Sequence, residues 1–217
     1  GDNEWTDCRR HYMGSMDPLE RLARLRQVFF ADRFSLGQVR IATDTQDQCL
    51  ANAPPGCGCA AYPENRSWEH AGVRFVTLNV PGSDNNFGFD AASDAEAACR
   101  NAANAQWLAR AVAAAQAPGI RALVIAIQGN PWDTRKPAAY RDFLAQVEGT
   151  FARLRKPILF IHGDTHTYRA DTPFAAPIRR LETYGSPFVG WVKVTVDPRM
   201  PELFRFEPHL QRFVTPQ

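Results

Sequence analysis

Three near-continuous apolar runs constrain the fold of this chain most, because strands of this kind need protein on both of their sides. The runs lie at 73–80, 120–128 and 157–162. Strands that are apolar throughout are typical of a sheet that is covered on both faces. Amphipathic patterns of helical length separate the runs at 93–117 and 137–154. The order predicts neighbouring strands of one sheet, connected by covering helices.

Helix boundaries and one long irregular stretch can be predicted from single residues. Asp17 and Pro18 predict the start of a helix, as N-cap and first helical residue. Ser93 and Glu96 have the spacing of a capping box at the start of the next helix. Residues 32–69 are rich in Gly, Pro, Asn, Asp and Cys and predict a long loop.

The last third of the chain changes character, since short segments with period-two alternation replace the apolar runs. These segments lie at 178–184, 188–196 and 203–207 and predict a second sheet. We therefore predict an α/β fold, a layered α-β-β-α sandwich of two packed sheets. Residues 1–217 are expected to form a single domain, since one domain typically holds roughly 100–200 residues.

Five cysteines predict a loop that is cross-linked by disulfide bonds. They are Cys8, Cys49, Cys57, Cys59 and Cys99, and the odd count leaves at least one thiol without a partner in the chain. A bridge from Cys49 to Cys57 or to Cys59 would close a short loop. Cysteines in structural bridges favour an oxidising compartment, so we expect a periplasmic or secreted protein.

Composition excludes several classes of function. The net charge of +2 gives no electrostatic case for a nucleic-acid partner or an anionic membrane. No stretch reaches the roughly 18–20 apolar residues that a membrane span requires. Of the 25 basic residues only three are lysines, and this Arg bias together with Ala-rich helices is associated with GC-rich bacterial genomes.

The segment after the third apolar run carries the sharpest chemical signal. His162, Asp164 and His166 fall within five residues, with Gly163 between the first two. A strand that ends in such a turn can direct a carboxylate and an imidazole at one ion, and this pair suits Mn, Fe or Zn better than Ca. The alternative is that both histidines only make hydrogen bonds within a turn.

The turns after the other two runs are polar as well. Gln128, Asn130 and Asp133 follow the second run, and residues 83–86 (Ser-Asp-Asn-Asn) follow the first. In open α/β sheets, binding sites form beyond the carboxyl ends of the strands, so these turns are expected to meet at one edge. The alternative is turn capping, which Asn and Asp perform routinely. No serine-hydrolase elbow or Walker loop is present.

The motifs together resemble those of the calcineurin-like metallophosphoesterases. Residues 163–166 (Gly-Asp-Thr-His) resemble that family's Gly-His-x-His, and residues 1–4 (Gly-Asp-Asn-Glu) resemble its Gly-Asn-His-Asp/Glu. Residues 63–68 and 82–86 look like a variant group of the family. The resemblance covers the whole chain and keeps the family's motif order.

The resemblance implies two-metal hydrolysis of phosphate mono- or diesters, with one or two divalent ions (Mn, Fe, Zn or Mg) and a small-molecule phosphate ester as substrate. The residues that it assigns fall into three groups. The catalytic residues would be Asn3 and Asp164. The metal ligands would be Asp2, Asn3, Asp164 and His166. The residues that bind substrate would be Asn85, Asn86, Gln128, Asn130 and His162.

The chain departs from the family at several positions. Asp164 replaces a histidine, Gln128 or Asn130 stands where the family has a metal-binding histidine, and the leading Asp-x-His and Gly-Asp-x-x-Asp motifs are missing. We therefore expect the amino-terminal part of the domain to be absent and this chain to be a weakened or inactive fragment that can self-associate. The alternatives are a non-catalytic, ligand-binding or structural relative, and an α/β enzyme of unrelated chemistry, for which no nucleophile is evident.

Overall fold

The computed structural model describes residues 1–197, 200 and 202–211 and shows a mixed α/β fold. Its main sheet has seven strands in the order β1-β2-β3-β4-β5-β7-β6. The strands are β1 (Asp44–Gln46), β2 (Tyr62–His70), β3 (Val73–Thr77), β4 (Ala122–Ala126), β5 (Ile158–His162), β6 (Arg169–Asp171) and β7 (Arg179–Glu182). Strands β3, β4, β5 and β7 are parallel, and the outer pairings are antiparallel. The predicted adjacency of the three apolar runs is thus confirmed.

A second, two-stranded antiparallel sheet follows the main sheet in the chain. It consists of β8 (Gly190–Val196) and β9 (Phe204–Leu210). The segment 178–184, which we also assigned to this sheet, was placed wrongly, since β7 belongs to the main sheet. The reason is that Arg180 and Glu182 give β7 an alternating pattern although both are buried, with Arg180 paired to Asp171 of β6.

Four helical elements accompany the sheets. They are α1 (Pro18–Phe29), the single turn α2 (Gly82–Asn85), α3 (Ala91–Ala115) and α4 (Ala138–Leu154). The Asp17 side chain caps α1 as predicted, by accepting from the Leu19 N–H. The predicted cap of α3 was wrong, because Asp90 accepts from the Ser93 N–H in its place. Within the described part of the chain, no helix is both long and apolar enough to cross a membrane.

The main sheet buries apolar side chains on both faces. On one face, side chains of β3, β4 and β5 pack with those of α3 and α4, including Trp107, Leu108 and Phe143. On the other face, Val124, Leu159 and their neighbours pack with alternate side chains of β8 and β9. The carboxyl ends of the parallel strands are thereby held in fixed positions.

The stretch 32–69 is not the continuous loop that its composition predicts. It contains β1 and most of β2, and residues 64–67 are polar yet buried. The Glu64 carboxylate accepts hydrogen bonds from Nε and Nη2 of Arg26, at 2.9 and 2.6 Å. The Asn65 amide donates to Gln46 and to Asn104, at 2.8 Å each. These pairings satisfy the strand's polar groups and allow it to be buried.

Two disulfides join this stretch to itself and to α3. Cys49 bonds Cys59, which is one of the two predicted pairings, and Cys57 bonds Cys99. Cys8 is a buried free thiol. Two structural disulfides indicate an extracellular or otherwise oxidising environment.

Candidate functional site

The loops that follow β3, β4 and β5 are joined by hydrogen bonds at the carboxyl edge of the sheet. The Gly82 N–H donates to Gln128 Oε1 at 2.7 Å, and the Gly129 N–H donates to the Val80 carbonyl at 2.9 Å. The Gly163 N–H donates to the Gln128 carbonyl at 3.0 Å. The predicted meeting of the three turns is therefore confirmed.

Two carboxylates from distant parts of the chain converge on this edge. Gln128 Nε2 donates to Asp2 Oδ1 at 2.9 Å and to Asp164 Oδ1 at 3.3 Å. The Asn3 backbone N–H donates to Asp2 Oδ1 at 3.0 Å. The Asn130 backbone N–H donates to Asp164 Oδ2, also at 3.0 Å. Asp2 and Asp164 were predicted as ligands of a common ion, and the structure places them together.

The backbone of Gly82 lies directly against both carboxylates. A Cβ at this position would lie 2.5 Å from Asp2 Oδ2 and 2.5 Å from Asp164 Oδ1. Because both oxygens are that close to one point, they are at most 5.0 Å apart. No larger residue fits here without moving the carboxylates, so glycine keeps this side of the pair open.

Burial and mutual repulsion perturb the carboxylate pair. Asp2 is only 8% exposed. Burial raises the pKa of Asp2 above its ordinary value, and the neighbouring charge of Asp164 raises it further. A cation between the two would remove this repulsion. The pair can supply two oxygen ligands to one divalent ion, but the described residues contain no cluster of three acidic, histidine or cysteine side chains suited to a metal.

His166 lies at the rim of the same cavity. Its φ of 62° is in the left-handed region, as is the φ of 80° at Asp164. The imidazole packs against Gly185, where any Cβ would overlap the ring. Among the described residues no hydrogen bond to the ring is formed, so both ring nitrogens are available to a ligand or an ion.

The cavity in front of these groups has a volume of about 700 Å³. Its walls come from the amino-terminal segment, from residues 83–89, from the loop after β4 and from the turn after β5. The lining residues are Asp2, Asn3, Thr6, Asp7, Arg9, Arg10, Ser83, Asp84, Phe89, Asp133, Thr134, Arg135, Asp164 and His166. Asn3 is exposed at this wall, and only its backbone contacts Asp2.

Asn85 and Asn86 were predicted to bind substrate, but the structure does not bring them to the cavity. Both side chains are 0% exposed. Asn85 Oδ1 accepts from Arg100 Nη1 at 2.6 Å, and Asn86 Nδ2 donates to Glu96 at 2.8 Å. Both therefore hold the turn in place, and their predicted contact with substrate is not favoured by this geometry.

The turn that these residues hold has an uncommon backbone. Ser83, Asp84, Asn85 and Asn86 all have left-handed φ angles, from 51° to 60°. Such a residue costs up to roughly 1–2 kcal/mol, and less where it is Asp or Asn, as three of these four are. The fully buried Arg100 offsets part of this cost by donating to the Asn85 carbonyl at 2.9 Å. Strained backbone of this kind is enriched at functional sites.

His162 and Asn130 lie behind the cavity and not in its wall. His162 is 1% exposed, and burial lowers its pKa to about 4, so the ring is neutral at physiological pH. Its Nε2 and Glu182 Oε2 are buried without a hydrogen-bond partner in the described part of the chain. Asn130 Nδ2 donates to Thr165 at 3.1 Å, and Thr165 donates to Glu182. This network supports the turn that carries Asp164.

Sequence analysis missed the polar side chains that follow Asp2. Thr6, Asp7 and Arg9 belong to a 3₁₀ turn (Thr6–Arg9), and all three line the cavity together with Arg10. The signal was the dense run of charged and polar residues immediately after the first motif. No family model and no curated protein matches the chain.

Proposed function

We propose that this protein is a metal-dependent phosphoesterase that hydrolyses phosphate mono- or diesters. The observation that supports the proposal is the convergence of Asp2 and Asp164 at the carboxyl edge of the sheet, with a raised pKa at Asp2. A buried and a half-buried carboxylate that repel one another are a suitable arrangement for binding a cation.

The chain's own residues have distinct roles in this proposal. Asp2 and Asp164 hold one divalent cation (Mn, Fe, Zn or Mg), and His166 contributes a further ligand or a proton. Gln128 orients both carboxylates through its amide. A bound divalent cation supplies charge neutralisation of the phosphate and activation of water. Asn3, which the resemblance implies is catalytic, is positioned at the cavity wall to contact substrate.

The ligand count sets the expected strength of this activity. Two carboxylates and one imidazole hold a single ion weakly, because two-ion hydrolysis requires a bridging carboxylate and more ligands. We therefore propose that the chain as given has little activity. The same proposal includes a second ion and a four-layer α-β-β-α sandwich. It also includes a periplasmic or secreted location and self-association of the chain.

A second candidate is a non-catalytic, ligand-binding relative, and one observation favours it. The Gln128 amide already donates to both carboxylates, at 2.9 and 3.3 Å. A neutral amide thereby takes the place between the two acids that a cation would otherwise occupy.

Metal binding separates the two candidates. Mn²⁺ is titrated into the chain and into Asp164→Asn, with binding followed by calorimetry and by the thermal unfolding midpoint. We expect saturable binding that Asp164→Asn weakens at least about tenfold. Asp133→Asn is the control, since this exposed residue lines the same cavity but does not contact the pair. Equal Mn²⁺ binding by all three proteins would refute the phosphoesterase proposal.

An activity assay then tests the ligand count. Hydrolysis of bis(p-nitrophenyl) phosphate with added Mn²⁺ is compared between the chain and the double variant Asp164→Ala, His166→Ala. We expect turnover close to background from both proteins. Strong turnover that disappears in the double variant would show that the site is complete with the ligands present here.

A further inference from the structure

Charges in the cavity are distributed unevenly, because only two of its five acidic groups have a cationic partner in the part of the chain that the structure describes. Asp7 is paired with Arg10 Nη2 at 2.9 Å. Asp84 accepts from the Thr134 hydroxyl at 2.6 Å and has Lys136 Nζ at 3.6 Å. These pairs neutralise the middle of the cavity. Uncompensated negative charge is left at the Asp2–Asp164 end.

Arg9 has the opposite character, since it is held only by neutral groups. Its Nε donates to the Thr6 carbonyl at 3.0 Å, its Nη1 to Ser93 Oγ at 3.2 Å, and its Nη2 to Asn86 Oδ1. No ion pair of Arg9 is formed among the described residues. A guanidinium has five N–H donors, so one remains on each terminal nitrogen. The group also stacks on the Phe89 ring, 3.8 Å from its centroid, which fixes its plane.

Arg135 adds a second positive charge to the same wall, whereas Arg9 has no direct ion pair within the described residues but feels the charges of nearby acidic groups, Asp90 foremost. Arg135 is exposed and lines the cavity, and in the described part of the chain it has no hydrogen bond or ion pair. Lys136 Nζ lies 4.3 Å from the Phe89 centroid, so a further cation lies beside that ring. The nearest balancing group on this loop is the exposed Asp133, which is free to turn to water.

We propose that the end of the cavity formed by Arg9, Arg135 and Phe89 binds a second phosphate of the substrate. The preferred substrate is then a phosphate ester that carries another phosphate, and not a simple monoester. This inference rests on the proposed function for the ester that is cleaved at the Asp2–Asp164 end. The second phosphate stays intact and positions the molecule.

The chemistry of Arg9 favours a phosphate at this end. Two free N–H groups on adjacent terminal nitrogens match two phosphate oxygens, and the stacked ring means that little side-chain entropy is lost on binding. A dianion is balanced by Arg9 and Arg135 together, whereas a carboxylate balances only one of them. Each charge-assisted hydrogen bond of this kind contributes enough for about a tenfold gain in affinity.

Calorimetry tests the proposal with three matched ligands: propyl phosphate, 3-phosphonooxypropanoate and propane-1,3-diol bisphosphate. With Mn²⁺ present, we expect the bisphosphate to bind about tenfold more tightly than propyl phosphate, with the carboxylate analogue in between. Hexane-1,6-diol bisphosphate tests a longer separation of the two phosphates. Equal affinities for the mono- and bisphosphates of both lengths would overturn the proposal.

Variants show whether the two arginines are responsible. Arg135→Gln and Arg9→Lys should each remove most of the bisphosphate advantage while affinity for propyl phosphate in Mn²⁺ changes little. Arg153→Gln, an exposed residue of α4 outside the cavity, changes the net charge as Arg135→Gln does and should change neither affinity. An unchanged bisphosphate advantage in Arg135→Gln and Arg9→Lys would contradict the assignment.

The same ligands in EDTA separate this inference from the proposed function. Without a cation the Asp2–Asp164 end repels phosphate, so propyl phosphate can bind only at the arginine end. Binding in EDTA that Arg135→Gln weakens supports the inference even if Mn²⁺ does not bind. Binding in Mn²⁺ alone, with no bisphosphate advantage, would refute the inference and leave the phosphoesterase proposal intact.

Discussion

Replacing Asp2 by Asn should stabilise the metal-free protein, although Asp2 lies at the centre of the proposed site. The substitution keeps the shape of the side chain and the oxygen that accepts from Gln128 and from the Asn3 N–H. It removes one of two like charges and places an amide donor toward Asp164. Side chains kept for function are expected to be non-optimal for stability in this way.

The distance between the carboxylates gives the size of the effect. Asp2 Oδ2 and Asp164 Oδ1 are at most 5.0 Å apart, because each lies 2.5 Å from the same point beside Gly82. At that distance two unit charges repel by about 3 kcal/mol at an effective dielectric constant of about 20, and by about 1 kcal/mol in bulk water. The pair faces an open cavity, so we expect a gain of about 1–2 kcal/mol, or a rise of about 2–8 °C in the unfolding midpoint.

The pH dependence has a definite sign. The pKa of Asp2 is raised in the folded state, so the folded protein binds this proton more tightly than the unfolded chain does. Wild-type stability therefore falls as the pH rises from the ordinary Asp value of 3.8 through the raised pKa. The advantage of Asp2→Asn should be present at neutral pH and disappear as the pH falls through this window.

Thermal unfolding in EDTA at pH 7 and at pH 3.5 measures the effect, with Asp133→Asn as the control for net charge. Adding Mn²⁺ should then raise the midpoint of the wild type and leave that of Asp2→Asn unchanged. An Asp2→Asn variant that is less stable than the wild type in EDTA at pH 7 would refute the reasoning, since the two carboxylates would then not be in conflict.

Three further substitutions test other parts of the structure. Gly185→Ala should displace the His166 ring and weaken Mn²⁺ binding about tenfold with little loss of stability, measured by calorimetry and thermal unfolding. Gly129→Ala should cost about 1–3 kcal/mol in urea denaturation, because its Cβ would lie 2.5 Å from a backbone carbonyl oxygen of the neighbouring loop. Replacing both Cys57 and Cys99 by Ser should lower the free energy of unfolding by about 2–4 kcal/mol, and an unchanged urea midpoint would contradict this.

The sequence predicts the centre of the main sheet well and its margins poorly. Strands β3, β4 and β5 are apolar apart from Arg74, Thr77 and His162, so burial can be inferred from each strand alone. Strand β2 contains Glu64 and Asn65, which are buried because Arg26 and Gln46, distant in the chain, satisfy them. Such partners are not visible in local patterns, and β2 was therefore predicted as loop.

The same distinction applies to the site. Asp164 was singled out because it stands in a short polar motif at the end of an apolar run, whereas Asp2 was predicted as its neighbour only through the family resemblance. Arg9 and Arg135 were not predicted, since an arginine without a carboxylate partner cannot be distinguished by sequence from one that has a partner. Asn86 belongs to a polar turn that the sequence correctly predicts at this edge of the sheet. Its side chain nevertheless points inward, because the backbone of the turn is left-handed.

The left-handed turn at 83–86 has a consequence for when the cavity forms. Four consecutive left-handed residues are unfavourable without outside support, even though Asp and Asn tolerate this conformation better than other residues do. In a partly folded chain, α3 has not yet brought Arg100 to this turn. Residues 83–86 would then adopt ordinary conformations, and the cavity would lack the wall that this turn forms. Only completely folded molecules would then bind a ligand, so the fraction of binding-competent protein in a refolded sample reports directly on the native population.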